Sequence, residues 1–436
     1  MPAAERSRLG GATPASLGIP SADRLRDFSS SRGEPDWMFR LRLRALETFR
    51  SHGAPPWARF LDRVEFGRFL EPASEALPSS RSDPAIATGL AALEESEAAY
   101  RAVRHELEAQ GVRFLSTSAA LAAHPDIVRD AFASAIPIDE DPVAALNAAL
   151  WSGGSFVYVP PGVTVHVPLQ AEIREDYAKV EPFERHIVVA DRGSEVTYIE
   201  GCSAPVYTPD GLHVSAIEVV ARAGARVRYI AIQNFSKQVD NLVTKRAVVH
   251  EGASVEWVDA NLGSRRMRKI PVADLVGPGA RAEIVGMALA GKDQRLDVGG
   301  VVHHRAPQTH ARMVQRLVAH EGGDATLHTE VVAERGASGS SSSIDWSTLL
   351  LDPRSRAEIL PRIELEEADA EIAQEGLART ASEEMLFYLT SRGLTREEAI
   401  RLVVLGLAEA ATTRIPFEFA IEVKRLLELD LGGGIG

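Results

Sequence analysis

The sequence predicts a mainly β protein with a parallel β-solenoid core and α-helical regions before and after it. Apolar residues follow helical spacing up to about residue 150, alternate with polar residues after Trp151, and return to helical spacing from about residue 378. Within the β region a glycine opens a similar unit every 27 to 31 residues, at Gly162, Gly193, Gly224, Gly252 and Gly279. A fixed period of strands without intervening helices is typical of stacked solenoid turns.

Changes in composition divide the chain into four predicted parts. Residues 1–32 are rich in Ser, Gly, Arg and Pro without a sustained period, which predicts a flexible tail. Residues 33–150 are predicted to form an N-terminal helical domain, and residues 151–377 the solenoid core. Residues 378–436 are predicted to form a C-terminal helical domain, in which Thr395 and Glu398 have the spacing of a capping box.

Equivalent offsets from the repeating glycine carry equivalent residues. The fifth position is aromatic and the ninth is a thiol or an amide; the residues are Tyr198, Tyr229 and Trp257 at the fifth, and Cys202, Gln233 and Asn261 at the ninth. Parallel strands about 4.8 Å apart would stack such positions into ladders on one face. A β-sandwich is the main alternative, but it does not explain this recurrence. We expect Cys202 to lie beside Gln233, either in a structural polar ladder or in a functional site.

Charge and composition exclude several classes of partner. The net charge is -13. Residues 1–70 are net positive, with twelve Arg and eight acids, so all of the negative excess lies in residues 71–436. An acidic body argues against nucleic acid as the main partner. No apolar run is long enough to span a membrane and no secretory apolar region opens the chain, so we expect a cytoplasmic protein without a membrane partner.

Cofactor motifs are few. The single cysteine, Cys202, excludes an internal disulfide and a Cys-rich metal site. No G-x-x-x-x-G-K-[ST] string occurs, so we expect no nucleotide to bind this chain. Five histidines fall between His303 and His328, but their spacing matches no metal motif, and incidental surface histidines explain them better than a metal site does.

Several long strings resemble the SufB/SufD family, the scaffold proteins of the SUF iron–sulfur cluster assembly system, and the sequence is closer to SufB. The resemblance covers nearly the whole chain from about residue 33, with a shorter stretch near residues 55–85. The strings are GEPDWM (33–38), AALNAALWSGGSFVYVPPGV (144–163), VPLQ (167–170), YIEGCSAP (198–205), RYIAIQNF (228–235), NLVTKRAVV (241–249), EWVDANLGS (256–264) and EEMLFYLTSRGLTREEAI (383–400).

That resemblance implies a right-handed parallel β-helix with a helical domain at each end. It also implies three kinds of partner: a second SufB/SufD-type core, as a homodimer or a heterodimer, a SufC-type ABC ATPase on the C-terminal helices, and a cysteine desulfurase or sulfur-transfer protein. Sulfur would pass through the β-helix interior to a nascent cluster where two cores meet. The interior relay residues that the resemblance implies are Arg174, Cys202, Gln233 and Lys245.

The chain departs from the family pattern at the cluster site. Ile344 stands where SufB has its cluster cysteine, and Gln374 stands in place of a histidine. The resemblance leaves Glu375 and His304 as candidate iron ligands, so we expect a transient iron–sulfur cluster or none. A thiolate can carry sulfur as a persulfide, and a nearby cation favours the thiolate.

Three functions fit these observations. The chain is a non-enzymatic SufB-like scaffold subunit, a divergent paralogue recruited as an enzyme or sulfur-transfer subunit of a biosynthetic pathway, or a purely structural relative that binds its ATPase. The loss of the cysteine at position 344, with Cys202, Gln233 and Lys245 retained, motivates the second.

Overall fold

A computed structural model describes residues 18–70, 85–86, 105–174, 183–203, 211–381 and 383–432. It confirms the predicted class, a parallel β-solenoid with helices before and after it. The helices are α1 Ala22–Ser31, α2 Asp36–His52, α3 Thr117–Ala123, α4 Pro125–Ala131, α5 Pro142–Leu150, α6 Glu383–Thr390, α7 Arg396–Thr412 and α8 Phe417–Leu431. The strands are β1 Ala85–Ile86, β2 Arg113–Ser116, β3 Ser155–Val159, β4 Leu169–Arg174, β5 Phe183–Ala190, β6 Glu195–Ser203, β7 Gly211–Ala221, β8 Arg226–Phe235, β9 Val239–Val249, β10 Ser254–Gly263, β11 Arg266–Leu275, β12 Arg281–Ala290, β13 Arg295–His304, β14 His310–Ala319, β15 Asp324–Ala333, β16 Ser341–Leu350, β17 Arg356–Leu365 and β18 Glu371–Thr380.

The chain divides into two compact units. Met1–Glu75 and Pro137–Trp151 form the first, and Ala76–Ile136 and Ser152–Gly436 form the second. The residues predicted as one N-terminal helical domain are therefore shared between the two units, because the segment Ala76–Ile136 groups with the solenoid.

Part of the flexible tail that was predicted over residues 1–32 is a helix in the first unit, so this prediction is wrong there. Residues 1–17 lie outside the described residues, but residues 22–31 form α1. Ser21 caps this helix by accepting from the Arg24 backbone N–H at 3.2 Å, and Leu25 and Phe28, three residues apart, are buried. The Ser- and Arg-rich composition hid this short apolar face.

Each turn of the solenoid contributes one strand to each of two parallel sheets. Sheet A runs β1-β4-β6-β8-β10-β12-β14-β16-β18, and sheet B runs β17-β15-β13-β11-β9-β7-β5-β3-β2. Neighbouring strands are parallel and in register, apart from the antiparallel pairs that β1 and β2 make at one end. The repeating glycines lie in the turns with positive φ, between 60° and 72° at Gly162, Gly193, Gly224, Gly252 and Gly279, where a Cβ is disfavoured.

The C-terminal helices cover the outer face of sheet A. Apolar residues of this face, including Ile230 and Val258, pack with Val404 of α7 and Val423 of α8. The predicted capping box at Thr395 is present at the start of α7.

Polar contacts add to this packing of the helices on the solenoid. Asp430 of α8 binds Lys237 at 2.6 Å and His320 at 3.0 Å. Arg414, between α7 and α8, binds Glu283 at 2.8 Å. None of the helices in the described ranges is long and apolar enough to cross a membrane.

The last turn of the solenoid leaves two strand edges without a further strand. Among the described residues, β17 pairs only with β15, and β18 pairs only with β16. Four large apolar side chains of this turn are between 41% and 50% exposed, namely Leu360, Ile363, Leu365 and Leu377. Unpaired edges beside exposed apolar groups are the features of a surface that another chain covers.

Candidate functional site in the solenoid interior

Stacked aromatic rings line one wall of the interior. Tyr198, Tyr229 and Trp257 occupy equivalent register positions on β6, β8 and β10, and successive ring centroids are 4.9 and 5.2 Å apart. This confirms the ladder that the glycine offsets predict. Strand alternation then places positions two and four residues further along each strand on the same inward face.

Cys202 occupies the predicted register position, paired with Gln233 on one side and with Ile173 on the other. The side chains of Cys202 and Arg174 lie outside the described part of the structure, so their roles stay predictions. The backbone of Arg174 pairs with Ser203, one residue beyond the Cys202 ladder.

Gln233 is fully buried on the same face as the aromatic ladder. Its Oε1 accepts a hydrogen bond from Nδ2 of Asn241 at 3.1 Å. Its Nε2 has no hydrogen-bond partner among the described residues, although buried amide groups nearly always have one. The amide therefore offers a donor toward the inward face on which position 202 also lies.

Lys245 belongs to a buried cluster of two cations and one anion. Its Nζ donates to Oδ1 of Asp259 at 2.6 Å, and Nζ of Lys269 lies 2.8 Å from the same oxygen. The ammonium of Lys245 also lies 4.8 Å from the Tyr229 ring centroid and 4.5 Å from that of Trp257. Charge pairing and the aromatic faces together hold these ions inside the solenoid.

Burial and pairing act in opposite directions on these groups. Desolvation lowers the pKa of Lys245 to about 8, although Asp259 favours its charged form. Desolvation would raise the pKa of Asp259, but the two lysines outweigh it and hold that pKa below its usual range. Burial therefore makes Lys245 a weaker base than an exposed lysine.

A second polar network centres on the carboxylate of Glu184. Its Oε2 lies 3.3 Å from Nε2 of His186 and 3.2 Å from Nε2 of His213. The network extends through both histidines. Nδ1 of His186 lies 2.9 Å from Oγ of Ser155, and Nδ1 of His213 lies 2.8 Å from Oδ1 of Asn241. Desolvation would raise the pKa of Glu184, but the two histidines outweigh it and lower this pKa to about 2.

The aromatic column of the interior becomes aliphatic toward the last turns. The column that holds Tyr198, Tyr229 and Trp257 continues as Ile284, Met313 and Ile344. Trp346 fills the next inward column, where a Cβ at Gly376 would lie only 2.0 Å from its indole. The ionic part of the interior therefore ends before the turn that holds Ile344.

His304 faces inward from β13 of sheet B, whereas Glu375 faces outward from β18 of sheet A. His304 is buried inside, with Nδ1 2.7 Å from Oγ1 of Thr309 and Nε2 2.7 Å from Oγ of Ser342. Desolvation, with His310 and His303 nearby, lowers its pKa to about 4.

Glu375 is exposed at the open end. It pairs in register with the outward residue Asp345, as Gln374 pairs with the buried Ile344. The fold thus separates Glu375 from His304, and within the described ranges no three or more His, Cys, Asp or Glu side chains are arranged to hold a metal ion.

Sequence reasoning missed four interior residues of sheet B. Glu184, His186, His213 and Lys269 face inward from strands that the repeating glycine does not open, so no shared offset marked them. The signal that could have found them is a charged or imidazole side chain at an inward position of a strand that is otherwise buried.

Comparisons with known proteins agree with the resemblance. The family model for "SUF system FeS cluster assembly, SufBD core domain" matches residues 174–407, and that for the "SufBD protein N-terminal region" matches residues 90–171. The chain is 37% identical over 430 residues to the "Iron-sulfur cluster assembly protein SufB" of Bacillus subtilis, covering 94% of this chain and 92% of that protein. It is also 37% identical over 432 residues to an "Iron-sulfur cluster assembly SufBD family protein" of Staphylococcus haemolyticus, covering 94% of this chain and 93% of the relative.

Removing the shared anion of the lysine cluster tests its structural role. Asp259→Asn leaves two buried ammonium groups without their counter-charge, so we expect the free energy of unfolding to fall by about 3–5 kcal/mol. The matched control is Asp345→Asn, which removes a half-exposed carboxylate that binds Arg316 at 2.7 Å and should cost less than about 1 kcal/mol. Chemical denaturation measures both, and equal losses would contradict the account.

Proposed function

Because this chain belongs to the SufBD family of SUF-system iron–sulfur cluster assembly proteins, we propose that it is a SufB-like scaffold subunit that relays sulfur through its solenoid interior. The observation that carries the proposal is the polar section of the interior, where the register position of the only cysteine adjoins Gln233 and where the Lys245 cluster is also buried. In this function the chain is an assembly subunit, and ATP hydrolysis belongs to a partner.

The relay would carry sulfur as a persulfide on Cys202. A persulfide forms on a thiolate, and thiolates are favoured by nearby cations and N–H donors. The buried ammonium of Lys245 and the unmatched Nε2 of Gln233 are donors of that kind. The stacked aromatic rings make part of this interior apolar, and sulfur carried there would be shielded from water. Arg174 is the fourth proposed member, on the strand that pairs with β6.

The later turns support a function in which a second core supplies the ligands of the cluster. Isoleucine cannot ligate iron, and Ile344 is buried beside the indole of Trp346. A cluster assembled with this chain would therefore take its thiolate ligands from another chain. Glu375, exposed on the last turn, is the proposed residue to hold iron transiently, and His304 would contribute only after releasing Thr309 and Ser342.

The open last turn is the proposed contact with a second SufB/SufD-type core. Its two unpaired edges can extend both sheets, and its exposed apolar side chains would be buried by the same contact. A second copy of this chain and a related chain both fit these features, so the contact would make a homodimer or a heterodimer.

The C-terminal helices are the proposed docking surface for a SufC-type ABC ATPase. Phe387 and Tyr388 of α6 and Phe417 and Ile421 of α8 are each more than half exposed. Aromatic side chains at this level of exposure are frequent anchors of protein interfaces. A cysteine desulfurase or sulfur-transfer protein is the proposed sulfur donor, and the cytoplasm is the proposed location.

The alternative function is that of a recruited paralogue that transfers sulfur in a biosynthetic pathway without building a cluster. Two features favour this alternative: Ile344 replaces the cluster cysteine, and Trp346 fills the interior beside it. Together they leave no ligand at that turn for a cluster that would receive the sulfur. The identity of the sulfur acceptor separates the two functions.

The docking surface can be tested without removing the helices. Deleting residues 380–436 would expose the apolar outer face of sheet A, so point substitutions are cleaner. Phe417→Glu together with Ile421→Glu should weaken binding to the SufC-type ATPase at least tenfold, about 1.4 kcal/mol or more. Glu422→Gln, at an exposed position of the same helix, is the matched control. Titration of the purified ATPase gives the affinities, and unchanged binding by the double variant would refute this surface.

The ligand set predicts the outcome of anaerobic reconstitution. This chain alone should retain no stable [4Fe–4S] cluster after desalting, because it offers one thiol and Ile344 occupies the ligand position. Any cluster in a complex should depend on thiols of the other chain. Visible absorption and iron analysis give the readout. Retention of about four irons per chain, lost in Cys202→Ser, would show that Cys202 is itself a ligand.

A further inference from the structure

A groove crosses the outer face of sheet A near the start of its strands. Its volume is about 460 Å³, and residues of five neighbouring strands line it, namely β6, β8, β10, β12 and β14. Four strand spacings of about 4.8 Å give it a length of about 19 Å. The groove lies beside the part of this face that α7 and α8 cover, because apolar positions under those helices, such as Ile230 and Val285, come two residues after lining residues of the same strands.

Two rows of outward-facing side chains form the groove. In the first row Arg226, Ser254, Arg281 and His310 stand in register on neighbouring strands. Strand alternation directs them outward, because the next residue on each of these strands packs in the interior. The second row lies two residues further along each strand and consists of Arg228, Glu256, Glu283 and Arg312. Ser254 lines the groove between the two arginines of the first row.

The acidic side chains of this groove already bind arginines. The nitrogen–oxygen distances are 3.5 Å from Arg226 to Glu195, 2.6 Å from Arg228 to Glu256, 2.7 Å from Arg312 to Glu283, and 2.8 Å from Arg414 to Glu283. Arg281 is exposed in the middle of the first row and makes no ion pair with any described residue. With Arg414 included, five arginines stand against three glutamates, so the groove is positively charged on a chain whose net charge is -13.

We propose that this groove binds an extended acidic segment of a partner protein. A guanidinium donates two parallel N–H groups to a carboxylate, and Arg281 has both of its ends available for such a contact. Arg226 and Arg281 are two strands apart, about 9.6 Å, and side chains three residues apart on an extended peptide are separated by about 10 Å. Asp or Glu at positions i and i+3 of the segment therefore meets both arginines.

The length and the charges of the groove favour a peptide over other occupants. About six extended residues span 19 Å, whereas a single oxyanion fills only part of that length. The glutamates between the arginines disfavour the continuous phosphate backbone of a nucleic acid. Arg226 exchanges its exposed contact with Glu195 for a carboxylate of the partner, which costs little because exposed ion pairs are weak. Arg414 lies three residues before Phe417, so a partner seated on the C-terminal helices has this groove within reach.

Titration of the full chain with a labelled peptide tests this proposal, and the sulfur relay plays no part in it. The probe is a dodecapeptide with Glu at every third position and Gly or Ser elsewhere, and its control carries Gln in place of Glu. Fluorescence anisotropy at low salt should show the Glu peptide binding about tenfold more tightly or better, and the difference should shrink as salt rises. Equal binding of both peptides, or no binding of the Glu peptide up to about 1 mM, would overturn the proposal.

Charge reversal at one position assigns the peptide to the groove. Arg281→Glu should weaken binding of the Glu peptide about tenfold or more, without lowering the thermal stability, because Arg281 is exposed and binds no described carboxylate. Lys292→Glu makes the same change of charge in the exposed turn after β12 and should leave the affinity unchanged. Equal losses in the two variants would mean that the peptide responds to net charge alone, and the proposal would be wrong. Inorganic pyrophosphate that displaces the peptide at equal concentration would identify a small-anion site and would also overturn it.

Discussion

In-register stacking of parallel strands is the constraint on which the rest of this structure depends. Each inward position becomes a column shared by successive turns, so a polar residue at one level faces the neighbours above, below and opposite it. The stacked rings of Tyr198, Tyr229 and Trp257 are one consequence. The meeting of Asn241 with Gln233 across the interior is another. A change of one residue in register would turn these columns to the outside.

The same constraint explains why charge is concentrated in the early turns. A buried ion is costly unless other groups pair with it, and a solenoid interior can supply partners from both sheets. The carboxylate of Asp259 contacts both Lys245 and Lys269, and the carboxylate of Glu184 contacts both His186 and His213. In the later turns the column of Tyr198, Tyr229 and Trp257 continues as Ile284, Met313 and Ile344. The exposed surfaces at the last turn and on α8 suit the contacts with other chains that assembly requires.

The glycine period was sufficient to predict the solenoid, the aromatic ladder and the pairing of Cys202 with Gln233. The glycine period could not predict the groups that face this ladder, because the strands of sheet B carry no glycine at a constant offset. Residues such as Glu184 and His213 are therefore recognisable only once the two sheets are seen to face each other. The separation of His304 from Glu375 escaped prediction for a related reason, since alternation and the open end of the solenoid decide which face each occupies. The helix at 22–31 was missed because its apolar face has only two large members.

We propose that Cys202 carries sulfur as a persulfide. The most direct measurement is mass spectrometry of the chain after incubation with a cysteine desulfurase and free cysteine. The account predicts a gain of one sulfur atom on the peptide that contains Cys202, and no gain in Cys202→Ser. Wild-type chain that gains no sulfur from a desulfurase that is itself persulfidated would contradict it.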